Sequence, residues 1–392
     1  MTKTLVSCVV GLLLGVVGAV AFIYFGGSLP LRFDNPALAT LNINKPQVVG
    51  FLPYWLLDKA DKPYEQYITT LTYFGLSLNN DGTIMKLTNP QEEEPGWTTL
   101  KGDAYAKRIA DGKKANLKQS LLIISGDDSI IHDVLQDPVT SANNLMGDVA
   151  PIMKDKGFTD LNLDIESFMA ASPSGQAAFT QFVRTVKDAL VAQHLGTLTL
   201  DLIPISLVKS TLYDAKALGA LADSIVLMTY DYHYTGSFTA GAIAPVGGSG
   251  TTVEYDVETA VKEALKVMPK EKILLGIPLY GYEWETIDSA TESATIPGGS
   301  ATASTRRVAE ILASCTNCTR GIDPVSREPY VIYPEGDYYN ELYYEDESSM
   351  KEKIALAQKY NLGGVALWAL GYEDDTMLKP LVTYKNSISL SW

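Results

Sequence analysis

Three histidines and three cysteines among 392 residues leave little material for metal or redox chemistry. His132, His194 and His233 are widely separated and have none of the short spacings that hold zinc. No phosphate-cradling loop and no dinucleotide-type glycine pattern follows a strand-like run, so the chain is expected to work without a metal or cofactor. Basic residues are scarce too. With 31 Lys and Arg against 46 Asp and Glu, the net charge is −15, which sets nucleic acid aside and argues against broad adhesion to anionic lipid.

Long apolar runs are equally rare, with one exception. Leu5–Phe25 carries no charge, and as a helix it would be about 30 Å long, enough to cross a bilayer. Lys3 precedes it, so the amino end should stay inside and the remainder be exported. Ala19-Val20-Ala21 resembles a cleavage site, which leaves a signal peptide as the alternative to a retained anchor. The expected organisation is an anchor or signal over residues 1–27, a stalk over 28–46, and one folded body over 47–392. The barrel would then lie outside the membrane, anchored or secreted. In an exported chain, Cys315 and Cys318 read as a local disulfide staple.

What the chain does have is an acidic row. In Phe158–Phe168 (FTDLNLDIESF), Leu161, Leu163 and Ile165 alternate with Asn162, Asp164 and Glu166, so the polar three share one face of a short strand. Carboxyls inside a protein are expensive unless paired or chemically employed. Glu166 falls at the carboxyl end of its strand, where an α/β barrel keeps its reacting groups. A half-buried edge strand with a solvated face is the plainer reading.

The rest of the chain supports the barrel. Strand-like runs fall at Gln47–Tyr54, Ile68–Leu78, Gln119–Ser125, the acidic strand, Thr197–Ile203, Ser224–Thr229, Ile273–Pro278 and Gly364–Trp368, mostly separated by helical patterns. Eight short apolar runs between helices fit a single (β/α)₈ barrel of α/β class. The interval before the last strand is too long for an ordinary connection, so about 286–344 reads as a small α+β insertion with a helix at Thr305–Ala313 and a strand near Pro329–Tyr333.

With these pieces in order, the chain resembles glycoside hydrolase family 18, the chitinase-like barrels, from about Gln47 to Asp375. The fourth-strand motif D-x-x-D-x-D-x-E reads here as Thr159-x-x-Asn162-x-Asp164-x-Glu166, and the sixth-strand M-x-Y-D is Met228-Thr229-Tyr230-Asp231. LLGIPLYGYEW and GGVALWALG match the seventh and eighth strands. Tyr343–Ser349 with Lys351, and Leu370–Asp374, look like the spore-cortex-lytic, peptidoglycan-directed branch.

The resemblance implies a retaining mechanism in which the substrate's own 2-acetamido group attacks the anomeric carbon. Glu166 would be the acid and then the base, Asp164 would orient the acetamido N–H, Tyr230 would donate to the acetamido oxygen, and Asp231 would bind sugar or support Glu166. Trp368 would floor the sugar site. Asn162, Met228, Tyr280, Trp284 and Trp55 complete the expected substrate-binding set. The implied partner is a polysaccharide containing N-acetylglucosamine, peptidoglycan or chitin.

Two positions depart from the family pattern. Thr159 and Asn162 replace acids, and Asn162 is expected to donate its amide hydrogen to Asp164. A catalytically inactive glycan-binding protein on the same barrel is the alternative function, and a membrane-tethered scaffold a third. Retention of Glu166 argues for catalysis.

Overall fold

The computed structural model describes residues 42–387 and 389–391. Eight parallel strands close into a barrel in chain order. The first seven are β1 (Gln47–Pro53), β2 (Thr70–Ser77), β3 (Lys118–Ser125), β4 (Asp160–Ile165), β5 (Thr197–Leu202), β6 (Ser224–Leu227) and β7 (Ile273–Pro278). Five insertion strands follow: β8 (Tyr280–Thr286), β9 (Thr295–Ser304), β10 (Thr319–Ile322), β11 (Pro329–Glu335) and β12 (Tyr338–Tyr344). The last barrel strand, β13 (Gly364–Trp368), pairs with β7 on one side and β1 on the other.

The strands are buried on both faces because helices cover the outside and side chains fill the inside. Leu161, Leu163, Ile165, Leu198 and Leu200 point outward into the helix-facing core. Val49, Phe51, Phe74, Leu122, Val226, Leu274 and Ala366 form a separate cluster within the barrel. The helices start where acidic or hydroxyl residues can accept from free backbone N–H groups. Asp137, Ser172, Asp214, Asp256, Asp346 and Asp374 all cap in this way, each worth about 0.5–2 kcal/mol. Gly157 ends helix Pro138–Lys156 at φ 70, a left-handed position where a side chain would be strained.

The insertion is a five-stranded antiparallel sheet in the order β9-β8-β12-β11-β10. Helix Thr305–Ser314 serves it, and Ala303, Val308, Ile311, Val331 and Leu342 form its own small core. Its sheet begins at Tyr280 rather than at Thr286. The seventh strand ends at Pro278 as expected, and β8, two residues on, pairs antiparallel with β9 and β12. Cys315 and Cys318 are joined in a disulfide just after the insertion helix.

Separately, Asn42–Asn44 pairs antiparallel with Ser389–Ser391. The Leu5–Phe25 run and most of the expected stalk lie outside the described residues. Among the described residues, no helix is long and apolar enough to cross a membrane.

A clamp of buried charge ties helix Glu347–Lys359 to the ends of the insertion strands. Lys353, fully buried on helix Glu347–Lys359, donates to Glu345 and, at 3.2 Å, to Glu328. Glu328 also accepts from the backbone N–H groups of Ile243 and Ala244 at 2.7 Å each. Two stretches that suggest the cortex-lytic branch therefore hold structural posts: Glu345 completes the clamp, Asp346 caps the helix, and Glu373 accepts from Tyr64 at 2.6 Å.

Candidate active site

Alternation along β4 stacks Asp160, Asn162 and Asp164 up the inside of the barrel, with Glu166 at its mouth. Asp160, at the bottom, is neutralised by Lys118 at 3.3 Å and held by Ser120 at 2.7 Å and Thr199 at 3.0 Å, so it serves as a structural floor. Asp164 is buried at the level above. Glu166 follows the last residue of β4, and its backbone N–H still donates to the Ser125 carbonyl at 2.8 Å. Tyr213 donates to the Ile165 carbonyl at 2.5 Å, which pins the strand end from which Glu166 projects.

Asp164 and Glu166 face a cleft of about 440 Å³. Phe51, Phe74 and Trp368 form its floor, with the Phe74 and Trp368 rings 4.5 Å apart. Met228, Tyr230, Asp231 and Tyr232 line one wall, and Phe168, Ile203, Ile205 and Val208 supply an apolar side. Trp55 lies half exposed next to this floor, 6.3 Å from Trp368 ring to ring.

The electrostatics set the carboxyls apart. Burial, then the charge of Glu166, then that of Asp201 push the Asp164 carboxyl well above its ordinary range. A hydrogen bond between the Asp164 and Glu166 carboxyls adds to the rise of Asp164. Burial and then Asp231 raise Glu166, while that hydrogen bond from Asp164 draws it partly back. A glutamate raised in this way retains a proton to give to a leaving oxygen, which is what a general acid needs. Asp231, in a left-handed conformation at φ 59, is exposed as a whole residue. Its Oδ1 nevertheless accepts from Tyr280 at 2.5 Å and Tyr282 at 3.0 Å. Burial raises its pKa and the two hydroxyls oppose the rise.

Three expected roles change. Trp284 is fully buried and donates its indole N–H to the Tyr234 carbonyl at 3.0 Å, so its ring packs inside the protein instead of stacking on sugar. Tyr280 is buried as well and reaches Asp231, which makes it a support for that carboxyl. Asn162 does not serve Asp164: its amide influences Asp201, opposing the rise caused there by burial. Neither amide atom completes a hydrogen bond among the described residues. Sequence reasoning missed Asp201 and Tyr282. The signal for Asp201 was present, because Thr197-Leu198-Thr199-Leu200-Asp201 repeats the polar–apolar alternation of the acidic strand.

Among the described residues, no group of three or more His, Cys, Asp or Glu is arranged to hold a metal ion. A closed parallel barrel with a raised acid at the carboxyl end of a strand, a second carboxyl beneath it and an aromatic floor defines a carbohydrate-cleaving hydrolase by class. The chain belongs to glycoside hydrolase family 18, whose sequence profile (Glycosyl hydrolases family 18) matches residues 47–373. It is 26% identical over 324 residues to the cortical fragment-lytic enzyme of Bacillus subtilis (strain 168), covering 80% of this chain and 67% of that protein. In fold it is similar to the Bacillus cereus spore cortex-lytic enzyme SleL, with TM-score 0.69 and 22% identity over 88% of this chain and 76% of that one. It is also similar in fold to the Ostrinia furnacalis Group IV chitinase, with TM-score 0.72 and 21% identity over 87% and 98% of the two chains.

Proposed function

We propose that this protein is an exported glycosidase that cleaves β-1,4 links next to N-acetylglucosamine, with peptidoglycan as the favoured polymer and chitin as the alternative. The observation that carries the reading is the stack of Asp164 beneath Glu166, facing Tyr230 and Asp231 across a cleft floored by Trp368. In this reading Glu166 protonates the glycosidic oxygen as the bond breaks. The substrate's acetamido oxygen then closes on the anomeric carbon, with Asp164 holding the acetamido N–H and Tyr230 its oxygen. Glu166, now ionised, takes a proton from the water that opens the ring, and configuration is retained. Similarity to proteins named for cortex lysis favours peptidoglycan. The uncharged Leu5–Phe25 run motivates export, with the barrel outside the membrane as an anchored or secreted body.

The test incubates the full chain with purified peptidoglycan and with chitin and reads released sugars by mass spectrometry. Glu166→Gln should fold and bind glycan normally but lose about 10²-fold or more in rate. Release by the variant at the wild-type rate would remove Glu166 from the chemistry. Binding without release by either protein would favour the inactive lectin-like alternative.

A further inference from the structure

Asp201 sits on β5, beside the reacting groups of β4. The β4–β5 ladder pairs Asn162 with Thr199 and Leu163 with Leu200. One step further along each strand come Asp164 and Asp201, so the two carboxyls stand side by side on neighbouring strands. Both residues line the cleft, and both are buried, with 3% and 4% of their surface exposed. Each leaves its Oδ1 buried and without a hydrogen-bond partner among the described residues. Two orphaned carboxyl oxygens at one level are untenable if both groups are ionised. A single proton resolves the conflict, since one carboxyl then donates and the other accepts.

We propose that Asp201 is the proton-holding partner of Asp164, supplying from the next strand the carboxyl that β4 lacks at Asn162. The role rests on the glycosidase reading above. When Asp164 turns its ionised carboxylate to the acetamido N–H, Asp201 keeps the proton. When Asp164 carries the proton, Asp201 accepts its hydrogen bond. Only O–H bonds are exchanged, and the proton count of the pair is unchanged. Among the described residues, the groups facing Asp201 offer no other neutralisation. From β4 these are Asp164, Glu166 and Asp160, the last already held by Lys118; from beyond β6 there is Tyr230, and behind the strand ends Tyr213. None brings a free cation. Asn162 can donate an amide hydrogen to Asp201 but cannot take up a proton. Asp201 is thus a positioning residue acting through Asp164.

Two variants and one spectroscopic measurement test this. Asp201→Asn should lower kcat by about 10–100-fold with KM little changed, in the range seen when a partner that orients a reacting group is lost. It should also move the acid limb of the kcat/KM profile upward by about one pH unit, because the ionised Asp164 loses the shared proton that stabilises it. The exchange Asn162→Asp with Asp201→Asn restores a carboxyl beside Asp164 from below. It should recover much of the rate and return the limb toward its wild-type position. Loss of rate in Asp201→Asn with an unmoved limb and no recovery in the exchange would overturn the proposal, leaving Asp201 a packing residue. An unchanged rate and profile would overturn it as well.

Carboxyl ¹³C titration of the full chain reads the same pair without any substrate. Asp164 and Asp201 should each titrate in more than one step with a common midpoint, and in Asp201→Asn that shared midpoint should vanish from the Asp164 curve while its coupling to Glu166 stays. Independent single-step titration in the wild type would refute the partnership. If instead no polymer is cleaved but the shared midpoint appears, the substrate reading fails and the pair stands.

Discussion

Replacing Lys353 by Met should destabilise the barrel by about 3–5 kcal/mol, the usual consequence of stranding buried charge when its partner is removed. Lys353 faces two fully buried carboxyls, Glu345 and Glu328. One ammonium balances one carboxylate, and burial pushes Glu345 up to about 8 even with Lys353 beside it. Without the ammonium, Glu345 retains the Ser349 hydroxyl at 2.6 Å, and Glu328 retains the N–H groups of Ile243 and Ala244. Those bonds favour the middle of the range over its top. Unfolding entropy near 2.1 cal/mol/K per residue over the roughly 340 residues of Lys45–Ser387 gives about 0.7 kcal/mol per degree. A loss of 4 kcal/mol is therefore about 6 °C in Tm. The sign of the pH dependence follows from the carboxyls. With Lys353 gone, the folded-state pKa of Glu345 rises further, so the native state binds more protons than the unfolded one above about pH 4. That contribution is present at low pH and lost as pH rises, so the deficit should be smaller at pH 5 than at pH 8. Differential scanning calorimetry at both values provides the measurement. A variant within 1–2 °C of wild type at pH 8 (about 1 kcal/mol at this entropy) would refute the clamp. So would a deficit that grows on acidification.

Two further predictions concern the cleft. Changing both Tyr280 and Tyr282 to Phe removes the hydroxyls that oppose the rise of Asp231, so Asp231 should protonate more readily. Its charge helps keep Glu166 raised, so the alkaline limb of kcat/KM should move to lower pH, with about a tenfold loss in rate; an unmoved limb would detach the tyrosines from the site. Asp164→Asn removes a carboxyl whose folded pKa is raised by burial. The wild type holds that proton's stabilisation below about pH 4 and loses it as pH rises through the raised value, by up to about 1.4 kcal/mol per unit. The variant should therefore gain Tm over wild type from pH 4 to pH 8, and a pH-independent difference would count against the assignment.

The barrel was legible because its strands are short apolar runs bounded by capping and turn residues, and the tool for reading them is alternation. β7 and β13 match the expected limits, while β4 announced its acids through the leucines between them. The insertion sheet was harder. Thr295–Ser304 is a ten-residue strand interrupted by Pro297, Gly298 and Gly299, residue types depleted in strands, and it forms because β8 offers it an antiparallel edge. The same tertiary fact misled the reading of Trp284, whose aromatic character suggests sugar stacking although β8 carries it into the interior. Asp201 escaped notice because one acid in an otherwise ordinary strand looks incidental until the neighbouring strand is laid beside it. Asn162 drew attention as a departure, but sequence could not reveal that its amide belongs to the β5 side of the barrel.

The contact between Asp231 and Tyr280 joins residues 49 positions apart, one at the end of a barrel strand and the other at the first position of the insertion. It means the insertion cannot be treated as an interchangeable module. A chimera that grafts a different insertion after Pro278 would carry away both hydroxyl donors along with the sheet, and a barrel trimmed at that junction would keep its acid while losing the group that tunes it. Recombination at this junction should therefore succeed at crossover points beyond Tyr282, where the donors stay with the barrel they serve.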